Sequence, residues 1–219
     1  MGLAAPLEAD GMAAHGRCQK SKLMLVASLA PLAPFVALAR EARVDHVAGW
    51  DLRILRFLHG YEKRAEGSAF DHAVNAFLAM GGEITLILGL LVLSILLATQ
   101  RVRDALFLIT VSAAVVALTS ALKEAFERTD LKYSFPSGHA ALSAAIAVAA
   151  GLIAWPTRWR WPTVAGGALF TATLGTALVY EGWHLASDVI GGWCLAATCA
   201  SLLRALFLVV PLRATGGER

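Results

Sequence analysis

The chain has 219 residues, of which 58% are hydrophobic and only 16% charged. Charged residues make up about a quarter of an ordinary soluble domain, so this is the composition of a membrane protein. The formal net charge of +3 is small and dispersed, and no basic cluster with interleaved aromatics points to nucleic acid as a partner.

Residues 1–22 form a polar tail rich in small side chains, with Arg17, Lys20 and Lys22 just ahead of the first apolar run. That run, residues 23–39, is interrupted by Pro31 and Pro34. A basic flank before an apolar core also fits a signal peptide. The run is longer than a usual signal core and lacks an evident small-residue cleavage site, which favours a retained, kinked first transmembrane helix. Residues 40–67 then mix both charge signs. Trp50, Leu52, Ile54, Leu55, Phe57 and Leu58 are interleaved with Asp51, Arg53 and Arg56, the pattern of a helix lying at the interface. Phe70, Val74, Phe77 and Leu78 keep helical spacing and lead into Gly81-Gly82.

Five further apolar runs follow, at residues 84–98, 105–122, 140–155, 164–180 and 189–211. With the first run they predict an all-α, polytopic protein: one six-transmembrane-helix bundle over residues 23–211, with a short tail at 212–219. Arg204 lies near the end of the last run, where it can snorkel to the head groups. The basic turns Arg101/Arg103 and Arg158/Arg160, and both tails, then share one side. The positive-inside rule makes that side cytoplasmic. Cys18 lies in the tail, while Cys194 and Cys199 sit five apart in an apolar run and read as buried small side chains. No His/Cys/Asp/Glu grouping has metal-ligand spacing, and no cofactor or metal is expected.

Parity along six spans brings three polar stretches to the outer side. The first is Lys123, which ends the third span; a lysine there is also a common helix-end marker. The second is Phe135-Pro136-Ser137-Gly138-His139, where a loop opens the fourth span. The first turn of that helix offers unpaired N–H groups and a positive dipole end, which suits an oxyanion, and His139 adds a titratable proton. The third is Glu181 to Asp188. His184 and Asp188 are four apart, so on a helix they share a face and the carboxylate can fix the imidazole tautomer. The competing reading makes Ser187 or Asp188 a simple helix cap and His184 an interfacial histidine.

Together the three stretches resemble the type-2 phosphatidic acid phosphatase superfamily, in its membrane lipid phosphatase branch. Its pattern is a lysine with an arginine seven residues on, then Pro-Ser-Gly-His, then Ser-Arg, five residues, His, three residues and Asp. Lys123, Pro136-Ser137-Gly138-His139, His184 and Asp188 stand in that order and spacing. The resemblance implies that His184 attacks phosphorus and forms a phosphohistidine, that Asp188 orients it, and that His139 protonates the leaving alkoxide. It implies that Lys123, Ser137 and the Gly138 N–H hold the phosphoryl oxygens. Both expected arginines are missing: Asp130 stands seven after Lys123, and Ala177-Leu178 replaces Ser-Arg. Arg128, five after Lys123, and Lys132 are candidate replacements.

The leading expectation is therefore a hydrolase of a phosphate monoester or diphosphate lipid head group. It would sit among membrane lipids in a bacterial inner or plasma membrane, with its active site on the outer face. Two alternatives follow from the lost arginines. One is a lipid phosphotransferase, because a less cationic pocket suits a phosphodiester better than a dianion. The other is a non-catalytic lipid-binding relative.

Overall fold

Long apolar runs with no internal proline can satisfy their backbone polar groups without water only by coiling into helices. In a computed structural model of the chain, which describes residues 22–23, 25–26, 28–42, 47–126 and 134–209, eight helical segments account for nearly all of those residues. At 59 and 61–65 only the backbone is described. The first segment, α1, is continuous over residues 28–42. There follow α2 (Gly49–Ala65), α3 (Ala69–Ala79), α4 (Gly81–Ala98), α5 (Val102–Ala125), α6 (Gly138–Ala154), α7 (Arg160–Tyr180) and α8 (Ala186–Val209). No strand occurs among the described residues.

Among those residues, four helices are long and apolar enough to cross a membrane, namely α4, α5, α7 and α8. The sequence reading expects six. Of the other two, α6 is apolar but only 17 residues long, which at the helical rise spans about 25 Å against a hydrocarbon core of about 30 Å. The first run lies partly outside the described residues. The amphipathic stretch after it does form a helix, α2, but it does not stand alone. Its Trp50, Leu55 and Leu58 pack with Val74 and Phe77 of α3 against a buried cluster that includes Leu174 and Leu178 of α7 and Val189 of α8.

The centre of the bundle is α6. Ala140, Ala141, Ala145 and Ala149 are all fully buried along it, and such small side chains let neighbouring helix backbones come close. Phe107, Val111 and Val115 of α5 and Ala196 and Ala200 of α8 pack onto it. In contrast α4 lies at the rim, with Leu86, Ile87, Leu90, Leu91 and Ile95 exposed. A face of that kind is stable against acyl chains and unstable against water.

Two close approaches onto α8 rest on glycine. A Cβ on Gly192 of α8 would stand 2.8 Å from the Ser137 carbonyl oxygen and 3.0 Å from the Ala141 nitrogen. A Cβ on Gly191 would stand 2.5 Å from the Phe135 ring. The Gly191-Gly192 pair thus lets the loop before α6 lie directly on α8. Phe135 is itself fully buried, stacked on Phe35 of α1 at 5.8 Å and edge-on to Phe126 at 5.5 Å.

Candidate active site

The chain order α5, loop, α6 and α7, turn, α8 returns both polar stretches to one end of the bundle. Each arrives by a different local device. At the first, Ser137 is the N-cap of α6 in extended conformation, and its hydroxyl oxygen accepts from the Ala140 N–H. Its carbonyl accepts from Ala141 N at 3.0 Å. The N–H groups of Gly138 and His139 are left with no acceptor among the described residues, as expected for the first turn of a helix. Lys123, in the last turn of α5, reaches over this turn. Its Nζ lies 3.6 Å from where a side chain on Gly138 would begin. Two free amides and an ammonium group therefore converge at one helix start, a site for an oxyanion.

At the second stretch, α7 ends in a Schellman motif. Gly182 takes a left-handed φ of +66°, which a side chain would oppose. Its N–H donates to Val179 O at 3.1 Å, and Trp183 N–H donates to Leu178 O at 3.0 Å. The turn carries His184 back over the bundle, with His184 N–H also donating to Leu178 O. His184 thus precedes α8 and is not helical, which corrects the expectation that it shares a helix face with Asp188. Only Asp188 is in the helix, in the first turn of α8. The pairing survives because the turn, not a helix face, supplies it. His184 Nδ1 lies 3.7 Å from Asp188 Oδ2, an ion-pair separation longer than a hydrogen bond.

Asp188 is fully buried and is the third residue of α8, inside the helix and not the opening cap of the competing reading. Its Oδ2 accepts from Leu185 N–H at 3.0 Å. Its carbonyl accepts from Ser137 N–H at 3.0 Å, which ties the α8 start directly to the Pro-Ser-Gly-His loop. His184 is 9% exposed, and its Nδ1 has no hydrogen-bond partner among the described residues. With Nδ1 turned to Asp188, Nε2 is the nitrogen free to meet a ligand.

His139 is exposed at the mouth of the bundle. Its Nε2 lies 3.8 Å from where a side chain on Gly82 of α4 would begin. His184, Lys123 and Glu83 all stand close enough to His139 to act on its ring. The geometry therefore gathers Lys123, Gly138, His139, His184 and Asp188 at one place. Ser137 sits there too, but fully buried beneath the turn as its cap. Arg128, Lys132 and Asp130 lie outside the described residues. Leu178 is 1% exposed in the apolar cluster, so no cation replaces the missing arginine from that position.

Sequence reasoning passed over two neighbours of the site. Glu83 hides as an ordinary acidic residue in the first turn of α4. Asp51 hides in the charged interfacial stretch, although it is 2% exposed and accepts from Ser187 N–H at 2.9 Å. The one signal for Asp51 was its position in the first turn of an amphipathic helix, which does not reveal its partner.

Residues 119–210, from the last turns of α5 to the end of α8, match the PAP2 superfamily. The stretch contains Lys123 and both motifs, so the family expected from the three stretches is the one found. No curated protein matches the chain. Among solved structures, the fold is similar to the crystal structure of a transmembrane PAP2-type phosphatidylglycerolphosphate phosphatase from Bacillus subtilis, with a TM-score of 0.66 and 18% sequence identity. The likeness covers 82% of this chain and 95% of that chain.

Proposed function

We propose, from the PAP2 match over residues 119–210, that the protein is an integral membrane lipid phosphatase. It cleaves a phosphate monoester or diphosphate head group through a phosphohistidine on His184. The observation that carries the reading is the convergence of Lys123 Nζ, two N–H groups with no acceptor among the described residues, and two histidines at one helix start. Phosphoryl transfer asks mainly for charge stabilisation and in-line positioning, and these groups supply both.

His184 Nε2 attacks phosphorus while Asp188 steadies Nδ1. The bond to the leaving oxygen breaks, and His139 gives that oxygen its proton. Water then attacks the phosphohistidine, His139 takes the water's proton, and phosphate leaves with His184 restored. Lys123 and the N–H groups of Gly138 and His139 hold the non-bridging oxygens throughout. We take α1 and α6 as completing a six-span bundle, with the site on the outer face and both termini cytoplasmic. The basic pair Arg158 and Arg160 beside exposed Trp159 and Trp161 fits the opposite, cytoplasmic interface.

Burial of Leu178 in the apolar cluster favours one second reading, a phosphotransferase acting on a phosphodiester. Phosphate release from a panel of phospholipids and polyprenyl diphosphates, with and without an acceptor alcohol, separates the two. His184→Ala is expected to lower release by about a thousandfold or more, the scale of losing a nucleophile. Undiminished release by that variant sinks the phosphohistidine reading.

A further inference from the structure

The α2 helix carries three charged side chains in its first two turns, and they are treated differently. Arg53 and Arg56 are exposed, whereas Asp51 is 2% exposed. A carboxylate taken out of water needs hydrogen bonds or an opposite charge to compensate its lost hydration. Asp51 Oδ1 accepts from Ser187 N–H at 2.9 Å, in the first turn of α8 and 136 positions along the chain. The positive end of the α8 dipole adds to the bond.

Ser187 is the neighbour of Asp188, and the α8 start is thereby held from two sides. Asp188 Oδ2 takes the Leu185 N–H from within the turn. Asp51 takes the Ser187 N–H from outside it. The Asp188 carbonyl in turn accepts from Ser137 N–H. One chain of hydrogen bonds therefore runs from α2 through the α8 start to the cap of α6. It passes both the carboxylate that faces His184 and the turn proposed to cradle phosphate. Asp51 also lies well outside residues 119–210.

We infer that Asp51 is a positioning residue of the active site, with α2 acting as a strap that fixes the His184–Asp188 turn over the Pro-Ser-Gly-His loop. The inference rests on His184 being the nucleophile. Asp51 touches no reacting atom. It sets where Asp188 and His184 stand relative to the anion held at the α6 start. For this bond the acceptor oxygen matters more than the charge, because Ser187 offers a neutral amide. Asparagine can offer the same oxygen, and alanine cannot.

The test uses the full-length protein in detergent, with the lipid substrate that the wild type turns over fastest. Asp51→Ala is expected to lower kcat by about tenfold to a hundredfold, the scale of displacing a catalytic group by less than an ångström or so. KM should stay within about twofold, because the phosphate-holding groups on α5 and α6 remain. Asp51→Asn is expected to recover most of the loss. Hydrogen exchange of the peptide around residues 185–188 should quicken in the alanine variant and stay near wild type in the asparagine variant. Equal kcat in wild type and Asp51→Ala overturns the inference. So does a fall in the thermal midpoint that accounts for the whole loss of activity in both variants. Should Asp51→Ala fail to fold, Asp51→Ser, whose shorter side chain retracts the acceptor, takes its place against the same criteria. Exchange needs no turnover, so a wild type that hydrolyses nothing would defeat the phosphatase reading while the strap is still judged by exchange.

Discussion

The two ends of the bundle handle charge in opposite ways. At the end away from the site, Asp104 of α5 is clasped by two arginines. Arg101 Nε donates to Oδ2 at 2.9 Å, and Arg204 of α8 donates to Oδ1 at 3.0 Å. Arg204 also lies over the Phe107 ring at 5.1 Å, and Arg101 reaches the Ile153 carbonyl of α6 at 3.4 Å. Every formal charge in that cluster has a direct partner. At the site end, His184 and Asp188 stand 3.7 Å apart, and Lys123 has no ion-pair partner among the described residues. The N–H groups of Gly138 and His139 also have no acceptor among the described residues. A protein tolerates unspent polarity where a ligand will use it. The saturated end locks α5, α6 and α8 together, and the open end leaves its groups apart, as the proposed anion site requires.

The largest expected effect short of losing the nucleophile is at Lys123. Lys123→Met removes the ammonium group but keeps most of the stem. A hydrogen bond to a charged group contributes about 1.5–3 kcal/mol, so the variant should bind vanadate, a phosphate mimic, roughly tenfold to a hundredfold more weakly. Its thermal midpoint should not fall. Unchanged vanadate affinity would mean that Lys123 is merely a helix-end lysine and that the open end is not an anion site.

Gly192→Ala attacks the close approach of α8 to the start of α6. Its Cβ would meet backbone on α6, which cannot swing aside as a flexible side chain does. Overpacking of this kind costs about 1–3 kcal/mol. Detergent melting should show that loss together with lower activity, because Ser137 and Asp188 are pushed apart. A variant that melts and turns over like wild type contradicts the close α6–α8 approach.

Asp104→Ala tests the saturated end. It strands Arg101 and Arg204, which are 37% and 18% exposed at their side chains, so solvent recovers part of the loss. A destabilisation of about 1–2 kcal/mol is expected, with kcat of the folded protein unchanged. A change in kcat without a change in melting would break the division of labour between the two ends.

The smallest effect is expected from Ser137→Ala. The hydroxyl is buried as the α6 cap, and its bond to Ala140 N–H is long at 3.4 Å. Loss of an N-cap costs about 0.5–2 kcal/mol, and this geometry points to the lower part of that range. Should Ser137→Ala instead lose activity as severely as Lys123→Met with normal melting, the hydroxyl contacts phosphate directly and the cap is secondary.

Much of this was readable in the chain. Apolar run length and scarce charge determine a polytopic helical protein, because a dry environment leaves the backbone no other way to bond itself. The order and spacing of Lys123, Pro136-Ser137-Gly138-His139, His184 and Asp188 carry the resemblance to the superfamily that matches residues 119–210. Boundaries were less legible. The α4 and α5 helices begin at Gly81 and Val102, outside their apolar runs, since helices continue into the polar zone that hydropathy cannot see.

Tertiary structure alone decided how the site is assembled. The four-residue spacing of His184 and Asp188 suggested a shared helix face, but a left-handed Gly182 turns the chain after α7, and that turn supplied the contact instead. Spacing could not show that Leu178 turns into the apolar cluster, away from the candidate site. Nor could it show that Asp51 meets Ser187. Sequence patterns record what each segment does with its own neighbours. A hydrogen bond between residues 136 apart depends on how three helices pack, and no local pattern carries that.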